Sequence, residues 1–336
     1  MNGSKDSQPT IYDVAALSGT GISTVSRVLN SPDRVSLEAR QKVMAAIDSL
    51  GFVPKAEARA RALQSTRRIG VLTPFFTSPS FVQRLRGIDS ALARFNNELI
   101  IYTVDSLARL QGYLAMLPLK GNLEGLVIMS LPIDVESAQR LVKQGLESVS
   151  IEFIAQNISS IEIDDFAGGK LAAHYLVSKG HRRCAFVGDA NPPDYGVHPV
   201  VHRLEGFRAG LQEAGIDLPP EFIRSSPYRR EPTRQAALEL LSLPEPPTAV
   251  FAAADIQATA IMKVARELGL HVPGDLAIIG FDDLDMADYI GLTTIRQPLD
   301  DSGRIAAELL LSRMADPSRP VQHIQLPLTI VERDSV

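Results

Sequence analysis

The chain is 336 residues long, 45% hydrophobic and 22% charged, which fits a globular protein and exceeds what one core accommodates, so two or three domains are expected. One cysteine, Cys184, excludes an internal disulfide framework and favours a reducing compartment; the lack of a roughly 20-residue apolar span or an apolar N-terminal signal core excludes membrane partners and leads to a cytoplasmic expectation. The net charge of -5 divides unevenly: residues 1 to 68 hold ten Lys or Arg against six Asp or Glu, or +4, and the remainder carries -9, as for a phosphate-seeking module on an acidic body.

The first elements are two short helices within residues 10 to 30, broken at Gly19-Thr20-Gly21. Thr10 with Asp13 forms an N-cap with an acidic first turn, and Gly19 is the stop. The second helix is too rich in Ser, Thr and Val to be selected for helix propensity alone. Val14, Leu17, Val25, Val28 and Leu29 are assigned to one small core, which leaves Ile22, Ser23, Thr24, Ser26 and Arg27 outward. Small hydroxyls beside one guanidinium suit a helix lying against phosphates and base edges, the helix-turn-helix arrangement. Ser36 caps a third helix in which Val43, Met44, Ile47 and Leu50 recur at helical spacing, and Gly51 closes it. From Pro54 the composition turns to Ala and Arg with no apolar stripe to bury, so residues 54 to 66 read as a hinge, helical only with a partner.

After Arg68 apolar strands at 69–72, 99–102, 126–129 and 149–151 alternate with helices near 80–95, 105–117 and 134–144. A second set has strands at 184–187, 249–252 and 276–281 between helices near 166–180, 203–214, 232–243 and 255–268. A strand at 293–297, a helix at 299–316 and a strand at 323–331 complete the chain. Short apolar strands between helices imply two parallel sheets covered on both faces, with a ligand cleft at the carboxyl ends of the strands. The Pro-rich connection from 191 to 202 is long enough to line that cleft. No nucleotide-binding glycine motif follows a strand and the six histidines show no metal spacing, so no cofactor, metal or catalytic residue is expected. His181 reads as a cap or strand-start residue, and Cys184 as buried and inert.

The runs TIYDVA at 10–15, TVSRVLN at 24–30, VS at 35–36 and GFVP at 51–54 closely resemble the headpiece of the lactose-repressor and purine-repressor family. The similarity continues through IDD at 163–165, GHRR at 180–183, RLEGF at 203–207, PTAVF at 247–251, VPGDLAIIGFDD at 272–283, LTTIRQP at 292–298 and ERDS at 332–335, and so covers nearly the whole chain. It implies an all-α helix-turn-helix headpiece (1–52), a hinge (53–67) and an α/β body (68–336) like the periplasmic binding proteins. The body's two doubly wound parallel-sheet subdomains are expected at about 68–162 with 293–322, and at about 163–292 with 323–336.

The resemblance further implies a homodimeric repressor on near-palindromic double-stranded operator DNA, controlled by a small-molecule effector. Carried over, the base-reading positions are Ile22, Ser23 and Arg27, with Arg27 suited to a bidentate contact to guanine. Thr10, Thr24, Ser26, Asn30 and Ser36 fall on backbone-contacting positions, and Lys55, Ala58 and Arg61 on the hinge. Two departures stand out. Gly21 replaces a usual serine. Arg61 stands where a leucine usually wedges into the minor groove, with Leu63 about 200° further round, so Arg61 in the groove and a shifted register with Leu63 inward are both open. Effector positions fall on Ser80, Phe81, Arg203, Tyr228 and Asp282, with Asp255 at the head of a bordering helix, where it also reads as a cap. A sugar or sugar derivative is favoured, although Ala254 stands where sugar-responsive members often carry Asn. A solute-binding or sensor protein of the same body fold without specific DNA readout is the alternative. The chain has no heptad tail, so a dimer is expected rather than a tetramer.

Overall fold

A computed structural model describes residues 9–30, 34–52, 67–120, 122–189, 193–227 and 230–336, without the side chains of Asn30, Lys120 and Arg230. The chain divides into two compact units, Met1–Thr66 and Arg67–Val336.

In the first unit lie α1 (Ile11–Ser18), α2 (Ile22–Asn30) and α3 (Leu37–Leu50). The Thr10 backbone N–H and hydroxyl both donate to Asp13 Oδ2 at 2.7 Å, and Gly19 ends α1 with φ 62°. Ser36 Oγ accepts from the Ala39 N–H at 3.4 Å, and Gly51 ends α3 with φ 60°. The core is small: Val14, Val25, Val28 and Val43 are buried together with Ala15 and Ala46. Two expected members are outside it. Leu17 is 53% and Met44 44% exposed, because the buried faces run through Ile11, Val14 and Ala15 and through Val43, Ala46, Ile47 and Leu50, leaving each about 60° beyond the nearest residue of its face. The expected hinge, with Lys55, Ala58, Arg61 and Leu63, lies outside the described residues.

The second unit holds two six-stranded sheets. The first contains β1 (Arg68–Thr73), β2 (Glu98–Thr103), β3 (Gly125–Met129), β4 (Glu147–Ile151), β5 (Ser159–Glu162) and β11 (His323–Gln325), in the order β11-β5-β4-β3-β1-β2. The second contains β6 (Cys184–Gly188), β7 (Ile223–Ser225), β8 (Ala249–Ala252), β9 (Ala277–Asp282), β10 (Thr293–Arg296) and β12 (Thr329–Val331), in the order β12-β10-β9-β8-β6-β7. Only the β10–β12 pair is antiparallel among the described strands. Each sheet reverses its order around its first strand, which makes a crevice at the carboxyl edge. The central strands β3, β6, β8 and β9 are buried at every position, as expected of sheets covered on both faces. Cys184 is among them, and burial pushes its thiol up to about 11.

The helices are α4 (Pro79–Ala93), α5 (Leu107–Lys120), α6 (Val135–Lys143), α7 (Asp165–Ser178), α8 (Pro199–Glu213), α9 (Arg230–Leu241), α10 (Asp255–Glu267), α11 (Asp285–Tyr289) and α12 (Leu299–Ala315). The chain passes between subdomains near 163–164, 297–298 and 326–328; the last two differ from the expected 292–293 and 322–323. The strand at 293–296 belongs to the second sheet, whereas α12 packs its Ala306, Ala307 and Leu310 into the first core. The single strand expected at 323–331 is two strands in different sheets, because Pro327 has no N–H to continue a ladder. β5 was not foreseen, since its buried residues include Ser159 and Ser160 rather than an apolar run.

Two helix pairs approach unusually closely. A Cβ on Gly303 of α12 would lie 2.0 Å from the Arg84 carbonyl oxygen of α4, and one on Gly87 equally close to that of Asp300. In the other subdomain, a Cβ on Gly169 of α7 would lie 2.0 Å from the Arg203 carbonyl oxygen of α8, and one on Gly206 1.9 Å from that of Phe166. Each pair brings one arginine to the crevice between the sheets.

Candidate functional site

On α2 the burial of Val25 and Val28 turns Ile22, Ser23 and Arg27 outward as an exposed patch, with Thr24 and Ser26 half-buried at its margin. Thr10 is exposed, but its hydroxyl proton is used on Asp13, so donation to a phosphate requires the cap to open. Ser36 uses only an acceptor lone pair in its cap and keeps its O–H to donate. Asn30 closes α2.

Within the body a cavity of about 470 Å³ lies between the sheets at the carboxyl ends of their strands. The first subdomain contributes Ser80, Phe81 and Arg84 of α4, Phe75 before it, Ser130 after β3 and Glu152 after β4; the second contributes Asp189 after β6, Arg203, Ala254, Ile256 and Asp282. Phe75 and Phe81 meet edge to face at 5.9 Å, an apolar wall for one face of a ligand. Three of the polar lining residues leave their strands with left-handed backbone: Ser130 (φ 54°), Glu152 (φ 66°) and Asp282 (φ 121°). Such a conformation costs on the order of 1–3 kcal/mol at a non-glycine residue and clusters where a site is being shaped.

The charges are buried and paired. Arg84, 3% exposed, donates to Glu152 and, at 2.9 Å, to Gln297 Oε1. Glu152 also accepts from the Ser130 hydroxyl. Burial pushes the Glu152 carboxyl up, but Arg84 and Ser130 outweigh it, and the net displacement is below the ordinary range. Arg203 Nε donates to Asp165 and Nη1 to the Ala253 carbonyl oxygen, each at 2.7 Å, with the guanidinium 3.6 Å from the Phe281 ring centre. There burial prevails over Arg203 and leaves the Asp165 carboxyl above its ordinary range. Asp282 accepts from Gln297 Nε2, and burial pushes its carboxyl up to about 6 against the pull of Arg203. Gln297, at a passage between subdomains, thus links Arg84 of one to Asp282 of the other.

The expected residues Ser80, Phe81, Arg203 and Asp282 are therefore brought together at one cavity. Asp255 is not on its wall. It is fully buried behind it, accepting from the Thr294 hydroxyl at 2.5 Å and the Leu284 N–H at 2.8 Å, and burial together with the Asp282 charge pushes its carboxyl well up. This carboxyl holds the segment after β9 in place rather than facing the cavity. Tyr228 lies outside the described residues, although Pro227 lines the cavity. Sequence reasoning missed Phe75, Arg84, Ser130, Glu152, Asp189 and Gln297. Ser130, Glu152 and Asp189 each directly follow a central strand, and applying the carboxyl-edge rule strand by strand would have found them.

Residues 10–55 match the family model of bacterial regulatory proteins, lacI family, and residues 173–336 match that of the periplasmic binding protein-like domain. The ribose operon repressor of Escherichia coli (strain K12) is 33% identical over 332 residues, covering 97% of this chain and 99% of the repressor. The chain belongs to the lacI family. It is a DNA-binding transcriptional regulator with an effector-binding body. Among solved structures, a LacI family regulator from Enterococcus faecium with bound ribose superposes with a TM-score of 0.70 at 33% identity, over 80% of this chain and 98% of that one. The lac repressor dimer bound to operator and an anti-inducer superposes with a TM-score of 0.75 at 25% identity, over 98% of this chain and 99% of that one. No helix among the described residues is long and apolar enough to cross a membrane.

Proposed function

We propose that this lacI-family member is a repressor that binds a near-palindromic operator as a homodimer and takes a neutral sugar, with ribose as the first candidate, in the cleft of its body. The observation that carries the reading is the pairing of an exposed Ile22, Ser23 and Arg27 patch on α2 with a cavity walled by carboxylates, guanidinium groups and two phenyl rings. Three outward side chains on a headpiece with so small a core cannot give specific affinity singly, which supports two copies on two half-sites. Carboxylates accept sugar hydroxyls, arginines donate to ring and hydroxyl oxygens, and the phenyl faces cover C–H surface. The ribose-bound relative supports the sugar class, and Ala254 leaves one polar contact fewer than the asparagine common at that position.

Effector binding acts by shifting the balance between open and closed arrangements of the two subdomains, and it moves operator affinity only as far as its affinities for those states differ. The test is selection of duplexes from a random pool by the purified full chain, with and without ribose. An inverted repeat whose enrichment changes with ribose is expected. Arg27→Ala should then lose about 1–3 kcal/mol of discrimination between the selected site and random DNA. A selection that returns no repeat, or a repeat indifferent to Arg27, sinks the DNA-reading assignment. Calorimetric titration that shows no heat with ribose sinks the ligand.

A further inference from the structure

Where a strand-to-helix connection in such folds commonly takes about 2–6 residues, the one from β6 to α8 takes ten, 189 to 198. Its latter part does not stay with its own subdomain. The Gly196 N–H donates to the Pro193 carbonyl oxygen at 3.1 Å, closing a turn with Asp194 and Tyr195 at its tip. Tyr195 is half-buried and packs against the cluster of the other subdomain that contains Leu72, Leu131 and Ile133. The next residue but one, Val197, donates its N–H to the Ser130 carbonyl oxygen at 3.1 Å, across the cleft. Ser130 is one of the residues with left-handed backbone, and its N–H and hydroxyl are engaged within its own subdomain by Ile151 and Glu152, leaving the carbonyl to face outward. Pro193, Val197 and Pro199 meanwhile form part of the cavity wall.

We propose that residues 193–198 are a strap that ties the second subdomain across the cleft to the first, with Tyr195 as its anchor, and that it is fastened without a ligand. An aromatic side chain at a turn tip is ordinarily solvated; here it is seated on the opposite core and flanked by a backbone hydrogen bond between the two halves. The strap holds part of the closed arrangement in advance, so less of an effector's binding free energy is used in closing the subdomains. It also makes passage into the cavity depend on its release, which narrows the choice of effector toward small molecules. These consequences rest on the reading of the cavity as an effector site; the tether itself does not.

Residue-resolved hydrogen–deuterium exchange on the ligand-free full chain tests the tether without any sugar. In the unmodified protein the Val197 amide should exchange well below the free-chain rate. In Tyr195→Ser it should exchange about tenfold faster, the effect expected for losing a part-buried aromatic anchor, and Tyr195→Phe should restore it. Amides of the buried strand β6 report global unfolding and should not change in either variant. Free-chain exchange at Val197 in the unmodified protein overturns the proposal. So does protection that survives Tyr195→Ser, or loss at Val197 that only accompanies equal loss across β6. Failure of ribose to bind, with Val197 protected, rejects the ligand and leaves the strap standing.

Discussion

In the first subdomain Arg84 leaves a helix pressed against its neighbour through Gly87 and Gly303, and meets Glu152; in the second Arg203 leaves a helix pressed through Gly169 and Gly206, and meets Asp165. The two halves share the device and differ in its setting. Glu152 has a second donor in Ser130, and its carboxyl is held below the ordinary range. Asp165 has Arg203, which also serves a carbonyl oxygen and a ring, and its carboxyl lies above that range. A buried ion pair is therefore defined by how completely both partners are hydrogen-bonded more than by the distance between them. The first half is built to keep its charge; the second sits closer to surrendering it.

The largest expected effects come from removing one partner of a buried pair. Arg84→Met and Arg203→Met should each destabilise the body by about 3–5 kcal/mol in urea unfolding at pH 7, because each leaves a buried carboxylate uncompensated. The comparison is sharpened by two double-mutant cycles. The coupling between Arg84→Met and Glu152→Gln should exceed that between Arg203→Met and Asp165→Asn, since Glu152 is the carboxylate drawn down by its partner. Equal couplings would remove the distinction between the halves.

Next in size are the glycine contacts. Gly303→Ala and Gly206→Ala place a Cβ within about 2 Å of a backbone carbonyl oxygen on the facing helix, which only helix displacement relieves. Each should lower stability by about 1–3 kcal/mol or more. Because the two contacts are alike in geometry, the losses should agree within about 0.5 kcal/mol. A variant tolerated in one half alone would show that the helix pair there is free to separate, and that its arginine is fixed by the ion pair instead.

How much of this was legible in the sequence depended on whether a residue's role was local. Thr10 with Asp13, Ser36, Gly19 and Gly51 were readable because capping involves residues three or four apart. Central strands such as Ala249–Ala252 were readable because burial on both faces leaves a continuous apolar run. Arg84 was not, because its partners Glu152 and Gln297 are 68 and 213 residues away and only the folded body brings them to it. The passages between subdomains were missed for a related reason: an apolar strand pattern shows that a strand is buried, not in which sheet. Asp255 was placed at the right helix terminus, and its service to Thr294 and Leu284 instead of the cavity is set by long-range packing.

The smallest effect concerns Asp282, which belongs to the second half yet is tied to the first through Gln297. Its carboxyl, raised to about 6 by burial, loses its proton in the unfolded chain at lower pH than in the folded body. Stability therefore declines as the pH rises from the ordinary aspartate range through about 6, the reverse of the contribution from Glu152, whose lowered carboxyl adds stability that is lost on acidification. Asp282→Asn keeps an oxygen to accept from Gln297 and removes the buried charge. It should stabilise the body by about 1 kcal/mol at pH 7, with the gain fading toward pH 5, in urea midpoints measured across that range. It should also weaken ribose binding most at pH 7, where the unmodified carboxylate is ionised and a strong acceptor. An Asp282→Asn stability gain independent of pH would mean that this carboxyl does not titrate in the window, and that burial does not set its contribution to stability.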